Sequence, residues 1–154
     1  MFIKGIISED FINYKKNCMT IEFPYCNWKC GKEYCQNTPL ATSPNLNIDK
    51  QQIVDFYLNN PITCAICFQG LEPFDSWQDL IDLIKLFREK TEDDIVIFTG
   101  YNEDEIKKDW INQLKKYPNI IIKFGRYIPN QEYHFDKILG INLASSNQYA
   151  KKIS

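Results

Sequence analysis

Four apolar runs, Cys18–Pro24, Ile62–Gly70, Asp94–Gly100 and Asn119–Gly125, alternate with stretches whose apolar residues recur at helical spacing. Runs of this length read as strands covered on both faces. Between them, Asp49–Asn60, Ser76–Lys90 and Asn102–Tyr117 read as amphipathic helices. Ile53, Val54, Tyr57 and Leu58 share one face of the first. Trp77, Leu80, Ile81, Ile84 and Phe87 make the stripe of the second, and Ile106, Trp110 and Leu114 face inward on the third. Asp49 with Gln52, and Ser76 with Asp79, are expected capping boxes. Strand–helix alternation implies right-handed crossovers and a mostly parallel sheet. The expected fold class is α/β. A further short strand is expected at Ile138–Ala144, and Ser145 and Ser146 are candidate caps for a terminal helix.

Ligands of such sheets gather beyond the carboxyl ends of the strands. The loops of interest therefore follow Pro24, Gln69, Phe98 and Phe124. The first of them holds three cysteines in ten residues, Cys26, Cys30 and Cys35, spaced C-x3-C-x4-C. Thiolates favour zinc, copper(I) or iron–sulfur clusters. Three thiols hold three corners of a 4Fe–4S cube and leave one iron open. A structural zinc site wants a fourth ligand, and Cys18, Cys64, Cys67 and His134 are the residues that would supply it. Both readings stand at this point. Cys64 and Cys67 lie on a predicted strand three residues apart, which points them to opposite faces. They, like Cys18, are expected to be small buried hydrophobes.

The chain has 154 residues, enough for one domain with one sizeable core, and one domain over residues 1–154 is expected. It is short for a complete eight-fold barrel, which takes about 250 residues. No repeat, linker or low-complexity segment interrupts it. The net charge of −2, with both signs interleaved, offers no phosphate-tracking surface, so nucleic acid is not an expected partner. No run of about 20 apolar residues spans a membrane. The N-terminal stretch lacks the apolar core of a signal peptide, and a cytoplasmic location is expected. That compartment argues against three disulfides as the use of six cysteines.

Two further stretches stand out. Phe68–Phe74 places Gly70, Leu71, Glu72 and Pro73 at the end of the second strand, and Leu143–Lys152 contains Ser145, Ser146, Asn147 and Gln148. Each alone reads as an ordinary turn or cap. Taken together, the cysteine loop ending in Cys35–Asn37, the Gly70–Pro73 turn, Ile97–Tyr101 and Ser145–Gln148 resemble the anaerobic ribonucleotide reductase activating proteins. These are small members of the radical S-adenosylmethionine superfamily. The likeness runs in order along nearly the whole chain. Two departures are present. The usual spacing is C-x3-C-x2-C, so this loop has two extra residues, and Leu71 replaces the second glycine of a Gly-Gly-Glu/Asp-Pro turn.

The resemblance implies a partial, open TIM-like barrel with a mostly parallel sheet of about four to six strands and βα repeats. It implies that Cys26, Cys30 and Cys35 ligate a 4Fe–4S cluster whose open iron is chelated by S-adenosylmethionine. It places Tyr34 and Gln36 against the cofactor, Gly70, Leu71 and Glu72 beside its methionine amino group, and Thr99 and Asn147 among the cofactor-binding residues. No catalytic side chain beyond cluster and cofactor is implied. The implied activity is reductive cleavage of S-adenosylmethionine to a 5′-deoxyadenosyl radical, which abstracts hydrogen from a glycine of a partner protein. The implied partners are the large catalytic subunit of anaerobic ribonucleotide reductase and a low-potential electron donor such as a flavodoxin. Two other readings are a non-catalytic zinc-binding or interaction module, and a radical enzyme of the same chemistry with another glycyl-radical or peptide target.

Overall fold

The computed structural model describes residues Met1–Ser154. The strands are β1 (Phe2–Ile3), β2 (Gly5–Asp10), β3 (Cys18–Phe23), β4 (Leu46–Asn47), β5 (Ala65–Gly70), β6 (Asp94–Phe98), β7 (Ile120–Phe124), β8 (His134–Asp136), β9 (Ile141–Leu143) and β10 (Tyr149–Lys152). The helices are α1 (Thr38–Thr42), α2 (Lys50–Leu58), α3 (Trp77–Arg88) and α4 (Lys108–Leu114). Six strands form the main sheet in the order β10-β7-β6-β5-β3-β2. The four central strands, the ones expected from the apolar runs, are mutually parallel. The edges β2 and β10 run antiparallel to their neighbours. The sheet is open, and no closed barrel forms.

The central strands lie in chain order, so every crossover advances the same way. Right-handed connections then stack all the helices on one face. That face buries Met19, Ile21, Phe23, Ile66, Phe68, Ile95, Ile97, Ile120, Ile122 and Phe124 against Ile53, Val54 and Tyr57 of α2, against Leu80, Leu83, Ile84 and Phe87 of α3, and against Leu114 of α4. Phe68 sits between Phe23 and Phe87, with ring centroids 5.7 and 6.2 Å away. Strand period 2 turns the alternate residues to the other face. There Cys18, Ala65, Cys67, Val96, Ile121 and Ala150 meet Tyr14, Leu139 and Leu143 from connecting segments.

Several expectations need correction. The acids at 103–105 form a separate 3-10 turn, and the helix proper is only Lys108–Leu114. The break follows from Ile106, which adopts an extended backbone and is 5% exposed, drawn into the core. Ser76 makes no capping bond; a 3-10 turn, Pro73–Ser76, precedes α3, and Asp79 pairs with Lys50 at 2.9 Å. The Asp49–Gln52 capping box is present. The Ile138–Ala144 strand shortens to β9 and pairs with β8 outside the main sheet. No terminal helix forms; the chain ends in β10, which completes the sheet beside β7. Cys64 is exposed, because it precedes β5 and does not sit within it. Cys18 and Cys67 are fully buried, their sulfurs 3.0 Å apart.

Candidate metal centre

On the face without helices, the side chains fall into rows across the sheet. Thr20, Cys67, Val96 and Ile121 are register partners and form an apolar-leaning row. One step toward the carboxyl ends, Glu22 pairs with Gln69 and Phe98 with Lys123. This second row is the floor of a cavity of about 410 Å³, roofed by the loops beyond the strand ends. Its size falls in the lower part of the range for small-molecule sites.

All three loop cysteines line this cavity, and all are half-buried, free thiols. A 3-10 turn, Lys32–Tyr34, separates Cys30 from Cys35 and takes up the two extra residues of the spacing. Gly31 (φ 84°) and Trp28 (φ 60°) turn the chain between the ligands. The Trp28 amide lies 3.3 Å from Cys26 Sγ, and the Asn37 amide 3.4 Å from Cys35 Sγ, each donating to the sulfur. Donors of this kind suit thiolates bound to a cluster, whose charge they offset. No group of three or more Cys, His, Asp or Glu side chains converges on one point as a single ion requires. His134 and the other three cysteines do not line the cavity. The cavity thus offers three soft thiols and no fourth Cys or His to close a zinc tetrahedron, a donor set whose chemistry suits an iron–sulfur cluster with one iron left without a protein thiol.

Burial pushes the Cys26 thiol up to about 11. Burial, and then the proximity of Cys35, also raise Cys30. Thiols of this kind stay protonated until a metal displaces the proton.

The segments after β5 and β6 hold the cysteine loop in place. Asp75 accepts from the Asn27 amide at 2.8 Å and from the Tyr101 hydroxyl, which in turn accepts from the Asn27 side chain. Asn37 donates to the Gly70 carbonyl at 2.8 Å, tying the loop's far end to β5. Gly70 itself is in the left-handed region, φ 100°, and a Cβ there would lie 2.6 Å from the Phe23 amide nitrogen. The glycine therefore admits the end of β3, and with it the base of the cysteine loop.

Glu72 is 4% exposed. Its carboxylate accepts from the Thr99 hydroxyl (2.8 Å), the Gly100 amide (2.9 Å) and the Phe74 amide (3.1 Å), latching the end of β5 to the end of β6. Burial nonetheless raises it to about 7. Thr99 is likewise buried, and both residues line the cavity. So do Tyr34, which is well exposed on the 3-10 turn, and Gln36, Gly70 and Leu71. Asn147 does not line it. Its side chain donates to the Arg126 carbonyl behind the wall, and Gln148 faces the cavity in its stead.

Sequence reasoning missed Lys123. It is 8% exposed, and its ammonium lines the cavity and donates to the Gly125 carbonyl at 2.8 Å. Burial lowers it to about 8, with Glu72 acting in the opposite sense. A lysine inside an apolar run, "IIIKF", was the available signal.

The family model of the 4Fe-4S single cluster domain matches residues 18–149. The chain belongs to this family. The matched region begins at β3, contains all three loop cysteines and ends at the start of β10, so it includes every residue that lines the cavity except Asn13. No curated protein and no solved structure matches the chain. The family has one 4Fe–4S cluster, and the cysteine loop is the thiol-bearing wall on which the chain would hold it. No helix is long and apolar enough to cross a membrane.

Proposed function

We propose that this iron–sulfur protein is an S-adenosylmethionine-dependent activase that generates a glycyl radical on the large subunit of anaerobic ribonucleotide reductase. The observation that carries the reading is the cavity. Three thiols, and no fourth Cys or His, share it with the Gly70–Glu72 turn at the carboxyl edge of a parallel sheet. Bound together, the cluster and the sulfonium cofactor would supply one-electron reductive chemistry.

The protein's own residues position, neutralise and exclude. Cys26, Cys30 and Cys35 take three corners of the cluster. Lys123 would meet the cofactor's carboxylate, because its buried ammonium has donors to spare and only one acceptor. The Gly70–Leu71 backbone and Glu72 would hold the methionine amino group, and Tyr34 with Gln36 would hold the adenine. Thr99 holds Glu72. Asn147 acts at one remove, through the Arg126 carbonyl. The cavity walls would shield the bound cofactor's reacting end from bulk water.

The one-sided stack of helices and the consecutive strand order support reading the fold as an arc of a TIM-like barrel. In this reading the missing strands leave a flank through which a partner's glycine loop enters. A low-potential donor such as a flavodoxin supplies the electron, and the protein works in the cytoplasm.

The test mixes reconstituted protein, S-adenosylmethionine, a reductant and the reductase subunit under anaerobic conditions. A glycyl-radical doublet in the electron paramagnetic resonance spectrum is expected, and replacing the subunit's target glycine with alanine removes it. Cofactor cleavage without any doublet would discard the reductase as target.

A further inference from the structure

The turn after β7 carries a charge with no role in the account so far. Gly125 (φ 95°) bends the chain, and its amide donates to the Tyr101 carbonyl at 3.0 Å. The segment Ser145–Gln148 then closes on this turn. Asn147 donates to the Arg126 carbonyl (2.9 Å), Ser145 lies 3.5 Å from the same oxygen, and Gln148 reaches the Gly125 carbonyl (3.3 Å). Three side chains thus fix the backbone from which the Arg126 side chain departs.

That side chain is fixed as well. Its guanidinium makes a two-pronged pair with Glu105 at 2.7 and 2.8 Å and lies over the Tyr101 ring, 5.7 Å from its centroid. Lys29, the residue before Cys30, reaches the same carboxylate at 3.6 Å and the same ring at 4.9 Å. Lys29, Arg126 and Glu105 together leave one net positive charge. Arg126 and Cys30 line the same cavity wall. The two-pronged pair with Glu105 keeps the Arg126 guanidinium charged.

We infer that Arg126 is a positioning residue that sets the reduction potential of the cluster by holding a fixed positive charge beside the Cys30 corner, with Glu105 as its counterweight. A cluster gains negative charge when reduced. A nearby cation stabilises that form and raises the potential, and a nearby anion lowers it. The Ser145–Gln148 segment contributes by aiming Arg126.

The experiment is a spectroelectrochemical titration of the anaerobically reconstituted protein at low salt, without S-adenosylmethionine or partner. It therefore stands or falls separately from the proposed function. Arg126→Gln removes a positive charge, and the cluster becomes about tenfold harder to reduce, a shift of about −59 mV for one electron. Glu105→Gln removes a negative charge, and the potential rises. Arg126→Lys keeps the charge and stays near the wild-type value. A structural disturbance would move both charge-removing variants the same way. Shifts of one sign in both, no shift, or an Arg126→Lys value as low as that of Arg126→Gln overturns the assignment. Should Arg126→Gln fail to hold a cluster, Glu105→Gln decides alone: a rise supports the assignment, and any other result rejects it.

Discussion

Lys123 concentrates the conflict between stability and function. A buried ammonium with one acceptor costs the fold, and its depression from 10.5 to about 8 corresponds to on the order of 3 kcal/mol. Lys123→Met should therefore raise the melting temperature by several degrees while weakening S-adenosylmethionine binding at least tenfold. Calorimetry and equilibrium binding on the same variant check both halves. The cysteines make a second prediction at this scale. Cys26 and Cys30 are raised by burial, and a cluster needs thiolates. Cluster assembly on the free protein should speed up as pH rises from 7 to 9, followed by visible absorbance. A flat profile would mean that the thiols are already ionised. These residues differ in how they could be read from the sequence. The thiols announce themselves by spacing, whereas Lys123 is visible only once strand alternation shows which face it points to. Asn147 was assigned toward the cofactor from likeness alone, and the turn it supports comes from a distant part of the chain.

At the scale of elements, the junction of β3 and β5 governs the metal centre. Gly70→Ala would drive a Cβ into the Phe23 amide and force a left-handed backbone on an L-residue. It should cost about 1–3 kcal/mol or more, read by urea denaturation, and it should lower the iron retained per chain. Tyr101→Phe removes the hydroxyl that joins Asp75 to Asn27. A smaller loss, about 1 kcal/mol, with faster loss of iron to a chelator, is expected. The central strands were legible because uninterrupted apolar runs have few alternatives. The helix at 102–117 was misjudged because Ile106, expected on its inner face, reaches the core from an extended backbone instead. The edge strand β2 and the closing strand β10 escaped because both are largely exposed and carry no uninterrupted apolar run, and their pairing depends on the sheet that they join.

For the whole molecule, Glu72 and Lys123 make stability depend on pH in two opposing ranges. Glu72 is raised in the fold, so the native state holds a proton that the unfolded chain has lost between about pH 4.5 and 7. Its contribution falls as pH rises through that window. Lys123 is depressed, so between about pH 8 and 10.5 the unfolded chain binds the extra proton, and stability recovers as pH rises. These two groups together give a minimum near pH 7–8. Glu72→Gln should flatten the acid limb and Lys123→Met the alkaline limb of a melting-temperature profile. The arrangement places both costs at the cavity that the three thiols line. The alternating pattern implied the sheet's working edge, and the cysteine loop marked its first corner. The depth of that cavity and its charged floor required side chains from four strands in register.

The central claim is that three thiols hold a cluster whose remaining iron is free for S-adenosylmethionine. The most direct measurement is anaerobic reconstitution with iron and sulfide, followed by reduction with S-adenosylmethionine and quantification of 5′-deoxyadenosine by chromatography. Four irons per chain, and product that disappears in Cys26→Ala, Cys30→Ala and Cys35→Ala alike, are predicted. A protein that takes up a single metal ion, or a Cys30→Ala variant that cleaves the cofactor at the wild-type rate, would contradict it.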